Sequence, residues 1–163
     1  MAEKLDGWRV VWTGARFITR EGNVLDAPDW FKAGMPETPL DGELFAGRGM
    51  FNSIQTLMAN GWHGLTYQIF DAPAQNSPFR ARIAYLRTLM LPPHAEIVPH
   101  IRCRDTEHLI DFADAVVANG GEGAVIRDPR AKYIPARDWS AQRWVPQCPS
   151  KNRISGTRSR QLV

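Results

Sequence analysis

Glu3-Lys4-Leu5-Asp6-Gly7-Trp8-Arg9 sets a lysine beside an acid and an Asp-Gly turn, with an arginine five residues after the lysine. The pattern Lys-x-Asp-Gly-x-Arg fixes four positions. At roughly one in twenty each, chance yields about one match per thousand chains of this length. The stretch therefore reads two ways: a reactive lysine at the centre of a site, or an exposed lysine at a strand end before a turn. Downstream, Arg9-Val10-Val11-Trp12 is largely apolar, Thr13-Gly14 marks a turn, and Phe17-Ile18-Thr19-Arg20 resumes a strand. This spacing predicts a hairpin, closed by a second turn at Glu21-Gly22-Asn23. The lysine then lies on or beside an antiparallel meander. Arg20 sits at a strand end near it, either as a rim charge or as a phosphate or ribose contact.

A length of 163 residues fits one domain with a real core. The hydrophobic fraction of 44% and charged fraction of 23% are those of a soluble globular protein. No apolar run approaches the roughly 18 residues of a membrane span, and the first residues lack the pattern of a signal peptide. Cys103 and Cys148 stand far apart with no metal-ligand spacing, so free thiols in a reducing cytoplasm are expected. His63, His94, His100 and His108 form no ligand spacing either. They read as surface or satisfied core residues, and no zinc site is expected. Charge is uneven along the chain. Residues 1–126 hold 11 Lys/Arg and 15 Asp/Glu, whereas residues 127–163 hold 9 Lys/Arg and only Asp128 and Asp138. A basic end of this density suits a polyanion, most simply nucleic acid.

Asp26 to Phe31 predicts a proline-started helical turn. Pro39 to Phe45 predicts a short buried strand carrying Asp41 and Glu43, acids that are costly there unless paired or in use. Phe51, Ile54, Leu57 and Met58 predict a helix ending at Gly61. Leu65 to Asp71 predicts a strand ending on the aromatic-acid pair Phe70-Asp71. A helix is expected from Phe79 to Leu91 with Ile83, Leu86 and Met90 on its apolar face, stopped by Pro92-Pro93. A short strand follows at Glu96-Ile97-Val98. A helix capped by Asp105 or Thr106 runs to Asn119 and buries Leu109, Ile110, Phe112, Val116 and Val117. Gly120-Gly121 ends it, and Glu122-Gly123 leads into the strand Ala124 to Arg127.

Taken in this order, the segments resemble the adenylation domain of ATP-dependent DNA ligases, most like the small bacterial and phage enzymes. The resemblance runs from Glu3 to about Tyr133. Glu3 to Arg9 is similar to the nucleophile motif, and Thr19-Arg20-Glu21-Gly22-Asn23 to the arginine segment after it. Leu40-Asp41-Gly42-Glu43-Leu44 resembles the third motif, Tyr67 to Asp71 the aromatic motif, and Gly121 to Arg127 the fourth. The resemblance implies an α+β fold of antiparallel sheets with flanking helices, ATP-grasp-like, over residues 1–146. A basic tail at 147–163 and no OB-fold domain complete the expected organisation.

The resemblance also implies roles. Lys4 attacks the α-phosphate of ATP, and Asp6 assists it. Glu3, Arg9, Arg20, Glu43 and Phe70 hold the nucleotide, with Phe70 on adenine. Glu122 helps hold Mg²⁺ or Mn²⁺. In the last motif Arg143 stands at the first of the family's two lysines and Val145 at the second, which makes Arg143 a further phosphate contact. The expected partner is nicked double-stranded DNA, with an OB-fold partner as a separate chain or none, no membrane, and a monomeric state. The chemistry suits the residue types. A free lysine is only about 0.1% neutral at pH 7.4, so nearby positive charge helps it lose its proton. In-line phosphoryl transfer then needs positioning and charge neutralisation, and carboxylates suit Mg²⁺. Two other readings stay open from the residues: a non-catalytic binder of nucleic-acid ends, and an RNA ligase or capping-type transferase.

Overall fold

The computed structural model describes residues 1–134 and 141–144, the last four as backbone. Their strands form two sheets. The larger runs, edge to edge, Phe17–Thr19 (β3), Trp8–Trp12 (β2), Leu40–Phe45 (β4), Thr66–Asp71 (β5) and Ala95–Ile97 (β6). The smaller runs Ala2–Glu3 (β1), Ala124–Arg127 (β7) and Ala141–Trp144 (β8). The expected hairpin is present, with Val10 opposite Thr19 and Trp12 opposite Phe17. The sheets are not wholly antiparallel, because β6 pairs parallel to β5. The chain between them includes the helix Phe79–Leu86 (α3), which lies against β5. Such a crossover is what a parallel pair requires.

The larger sheet buries an aromatic core. Phe17 lies 4.9 Å from Trp12 and 5.0 Å from Tyr67 between ring centres, and Phe31 lies 4.9 Å from Trp62. Phe31 comes from the short helix Asp29–Lys32 (α1). Full burial of each such ring stabilises the fold by roughly 1.5–3 kcal/mol. The Tyr67 hydroxyl, wholly buried, donates to the Leu40 carbonyl at 2.8 Å. Its ring needs Gly42 opposite: a Cβ there would lie 2.7 Å from Tyr67 Cε2 and 2.6 Å from the Gln68 carbonyl.

A second core lies where the helix Thr106–Ala118 (α4) packs its Leu109 and Ala113 on Ala124 of β7. Asp105 caps this helix by accepting from the His108 N–H at 2.8 Å. Ile110 and Val117, expected inside, face out, since the small sheet covers only the stripe through Leu109, Ala113 and Val116. The helix expected to reach Leu91 stops at Leu86, where the Thr88 hydroxyl and backbone N–H both turn back to the Tyr85 carbonyl. Met90 is thereby thrown outward, 91% exposed. The helix after Phe51 is shorter than expected as well. Phe51–Ser53 is a 3-10 turn with Phe51 exposed, and the α-helix covers Ile54–Ala59 (α2). No helix among the described residues is long and apolar enough to cross a membrane.

Candidate active site

Lys4 belongs to the segment that joins the two sheets. Its backbone N–H still follows the β1–β7 ladder, donating to the Gly123 carbonyl at 2.9 Å. That pairing sets its side chain against Glu122, with which it forms an ion pair. Three residues later the chain docks on the larger sheet, where the Gly7 N–H donates to Glu43 Oε1 at 3.0 Å. Only glycine permits this approach. A Cβ at Gly7 would sit 2.4 Å from the Leu44 carbonyl oxygen and 2.7 Å from Glu43 Cγ. The Lys4 side chain is 14% exposed, so the amine is sheltered with a path to solvent.

A cleft of about 360 Å³ opens between the sheets around this amine. Of the nine site residues the sequence suggests, eight line it: Glu3, Lys4, Asp6, Arg9, Arg20, Glu43, Phe70 and Glu122. The ninth, Arg143, is placed as backbone opposite Val125 in β8; its side chain lies outside the described residues, as do Arg137, Val145 and the tail 147–163. Asp6 and Arg20 are exposed at the cleft mouth. Glu3 lies in the wall with both carboxylate oxygens held by Arg48 at 2.8 Å, and Arg48 also donates to the Asn119 carbonyl.

Glu43 is the most perturbed carboxylate of the cleft. Burial pushes it up to about 7, and Glu122 adds to the rise; the Gly7 N–H and the charges of Lys4 and Arg9 oppose it. Its proton is held more tightly in the folded chain than in the unfolded one. The stabilisation it brings is complete below pH 4.5 and is lost as pH climbs through about 7. Glu43→Gln is therefore expected to stabilise the fold by about 3 kcal/mol at pH 8 and to leave it nearly unchanged at pH 4.5. Urea denaturation at the two pH values checks this, and equal effects at both would remove Glu43 as the source.

Asp41, one of the two costly acids of β4, and Asp71 of β5 are both paired. Asp41 and Asp71 face each other across the ladder. Asp41 accepts from Arg9 Nε at 3.1 Å, Arg9 NH2 at 2.6 Å and the Tyr133 hydroxyl at 2.9 Å. The hydrogen bond to Asp41 holds the Arg9 guanidinium more firmly charged, and burial pushes the Tyr133 hydroxyl up. Asp71 accepts from Arg82 Nε at 2.5 Å and NH2 at 3.1 Å, and from Arg127 NH1 at 2.7 Å. Phe70 lies between two of these cations, 5.6 Å from Arg9 and 5.8 Å from Arg127. This geometry fixes its ring at the cleft wall. The acid in each pair was visible in the sequence; Arg127 closed the fourth motif without showing its partner, and Arg82 was not singled out. His100, read as a surface or satisfied core residue, also lines the cleft, because the run after β6 passes beside β1, where the Ile101 N–H donates to the Met1 carbonyl at 2.9 Å.

The sequence profile of the family described as ATP dependent DNA ligase domain matches residues 3–145. This chain belongs to that family. The ligase domain is 36% identical over 140 residues to a DNA ligase of Haemophilus influenzae, covering 82% of this chain and 52% of that enzyme. It thus spans about half the length of the curated relative it matches. A Lig E DNA ligase, from work on DNA binding with a minimal scaffold, superposes with a TM-score of 0.78 at 31% identity, over 86% of this chain and 59% of its own. The Chlorella virus DNA ligase-adenylate shares the fold, with a TM-score of 0.65 at 19% identity over 82% of the ligase domain and 55% of its own chain. ATP dependence and action on DNA are properties of the family.

Proposed function

We propose that this ligase domain forms a covalent lysyl-adenylate on Lys4 and passes the AMP to the 5′-phosphate of a DNA nick, where the 3′-hydroxyl then attacks that phosphate and displaces AMP to seal the strand. The observation that carries this reading is the sheltered Lys4 amine, held by Glu122 in a cleft that also presents Glu43, Arg9, Arg20 and Phe70. In the proposed first step, Lys4 Nζ gives up a proton and attacks the α-phosphorus in line. The N–P bond forms as the bond to pyrophosphate breaks, and pyrophosphate leaves. Arg9 and Arg20 offset charge on phosphate, Glu43 takes the ribose side, and Phe70 stacks on the base. Arg143 and Asp6 are assigned supporting roles, toward phosphate and the lysine respectively. Glu3, engaged with Arg48, is assigned to shaping the wall beside the nucleotide.

No group of three or more metal-ligating side chains occurs among the described residues. Mg²⁺ does not need one, since it is commonly held by one or two carboxylates together with substrate phosphates. Glu122 and Glu43, close enough that the Glu122 charge raises the proton affinity of Glu43, fit that donor set. A divalent ion held there would neutralise phosphate charge and favour loss of the lysine proton. The partner proposed is nicked duplex DNA, engaged by a monomer.

The test is incubation with α-labelled ATP and Mg²⁺, followed by denaturing electrophoresis and tryptic mapping. Label is expected on the peptide from Met1 to Arg9, uncut at Lys4. A chase with nicked DNA should move it to the DNA strand. Label elsewhere, or none despite bound ATP, would overturn the assignment. GTP in place of ATP, and nicked RNA in place of DNA, separate this reading from a capping-type or RNA-joining transferase.

A further inference from the structure

Met1, Phe79, Val98, His100 and Arg127 line the cleft together with Phe70, and contacts run from the Phe70 ring through Arg127 and Phe79 to His100. A purine stacked on Phe70, as in the reading above on which this inference rests, shares the cleft with these residues. Met1, Phe79 and Val98 offer their side chains no means of telling one purine edge from another by hydrogen bonding. Arg127 donates from NH1 to Asp71 and packs 4.7 Å over the Phe79 ring. The other polar side chain there is His100.

The state of His100 follows from its surroundings. Nδ1 lies 2.7 Å from the Val98 carbonyl oxygen. A carbonyl only accepts, so Nδ1 carries a hydrogen and donates it. Burial pushes the imidazole down to about 4. Arg127 and the Met1 amino group add to the fall, while the Val98 carbonyl and Asp71 oppose it. The ring is therefore neutral near pH 7, and its Nε2 is a bare acceptor. Nε2 makes no hydrogen bond among the described residues, and the ring is braced edge-on by Phe79 at 5.3 Å.

We infer that His100 reads the purine edge: Nε2 accepts from the 6-amino group of adenine and meets the 6-oxo group of guanine acceptor to acceptor. The determinant of nucleotide choice then lies 96 positions from the proposed nucleophile in sequence and in the same cleft in space. One neutral hydrogen bond accounts for a preference of about fivefold to tenfold. An opposed pair of acceptors, left without compensation, extends the discrimination against guanine to on the order of 10²-fold.

The experiment is equilibrium binding at pH 7.5 to the full chain carrying Lys4→Ala, which halts covalent turnover. The probes are ATP, GTP and purine riboside 5′-triphosphate, the last lacking the 6-amino group. With His100 intact, ATP is expected to bind about tenfold tighter than the riboside analogue. Adding His100→Leu should bring that ratio close to one by weakening ATP alone. Two results overturn the inference: equal affinity for ATP and the analogue with His100 intact, which needs no His100 variant, or a ratio that His100→Leu leaves unchanged. Failure of ATP to bind at all would overturn the nucleotidyl-transfer reading and this inference together. ATP binding with an unchanged ratio overturns this inference alone.

Discussion

Lys4→Ala is expected to form no AMP adduct, a loss of at least about 10⁴-fold, while ATP binding falls by no more than about tenfold. The size of the first effect follows from what else the cleft offers. Its other side-chain cations among the described residues are Arg9, Arg20 and Arg127, and a guanidinium does not deprotonate to attack phosphorus. No second lysine among the described residues lines the cleft. Lys4→Arg should fail equally, which separates loss of a nucleophile from loss of a charge. Removing the amine also takes away one of the charges that restrains Glu43. The Glu43 carboxyl should thus titrate at a higher pH in Lys4→Ala, which NMR of the labelled glutamate can follow. Time courses with α-labelled ATP measure the main effect. An adduct that persists in Lys4→Ala would place the nucleophile elsewhere.

Asp71→Ala is expected to destabilise the fold by about 3–5 kcal/mol. Asp71 and Arg82 are each 1% exposed at the side chain. Deleting the carboxylate leaves the Arg82 guanidinium buried with only the Ser77 and Ala131 carbonyls at its NH1. Arg127 loses the same partner. A domain of ordinary stability has roughly 5–15 kcal/mol in hand, so the shift consumes a large part of it. The double variant Asp71→Ala, Arg82→Met should be less damaged than Asp71→Ala alone, because it removes the stranded charge as well. Urea denaturation of the three proteins tests this, and additive losses would show that the two side chains are not coupled.

The proposed site was legible in the sequence where chemistry and backbone geometry coincide. Lys4, Asp6, Gly7 and Arg9 lie in one short segment. The glycine there is forced by the approach to Leu44 and Glu43, so the motif and its geometric cause are the same few residues. Asp41 and Glu43 stood out because acids in an apolar strand need an explanation, and for Asp41 pairing with Arg9 supplies it. Arg82 was not legible. A lone arginine reads as a surface charge, although its spacing from Phe79 and Leu86 sets it on the buried face of α3, and the packing of α3 on β5 brings it to Asp71. His100 has no local signature either, since its place in the cleft depends on the segment after β6 running beside Met1. The outer face of α4 shows the converse error. Periodicity marked Ile110 and Val117 as apolar, but the width of the small sheet decides how many such residues are covered.

The two moorings of the Lys4 segment make the amine's position depend on both sheets at once. Lys4 is fastened to Gly123 and Glu122 on one side, Gly7 to Glu43 on the other, with only Leu5 and Asp6 between. Three Cα steps can span at most about 11 Å. The two walls can therefore part locally only as far as this short leash allows while both moorings hold. Within that limit, Lys4 and Glu122 travel with one wall as Glu43, Arg9 and Phe70 travel with the other, so the gap between the sheets and the reach of the amine form a single mechanical variable.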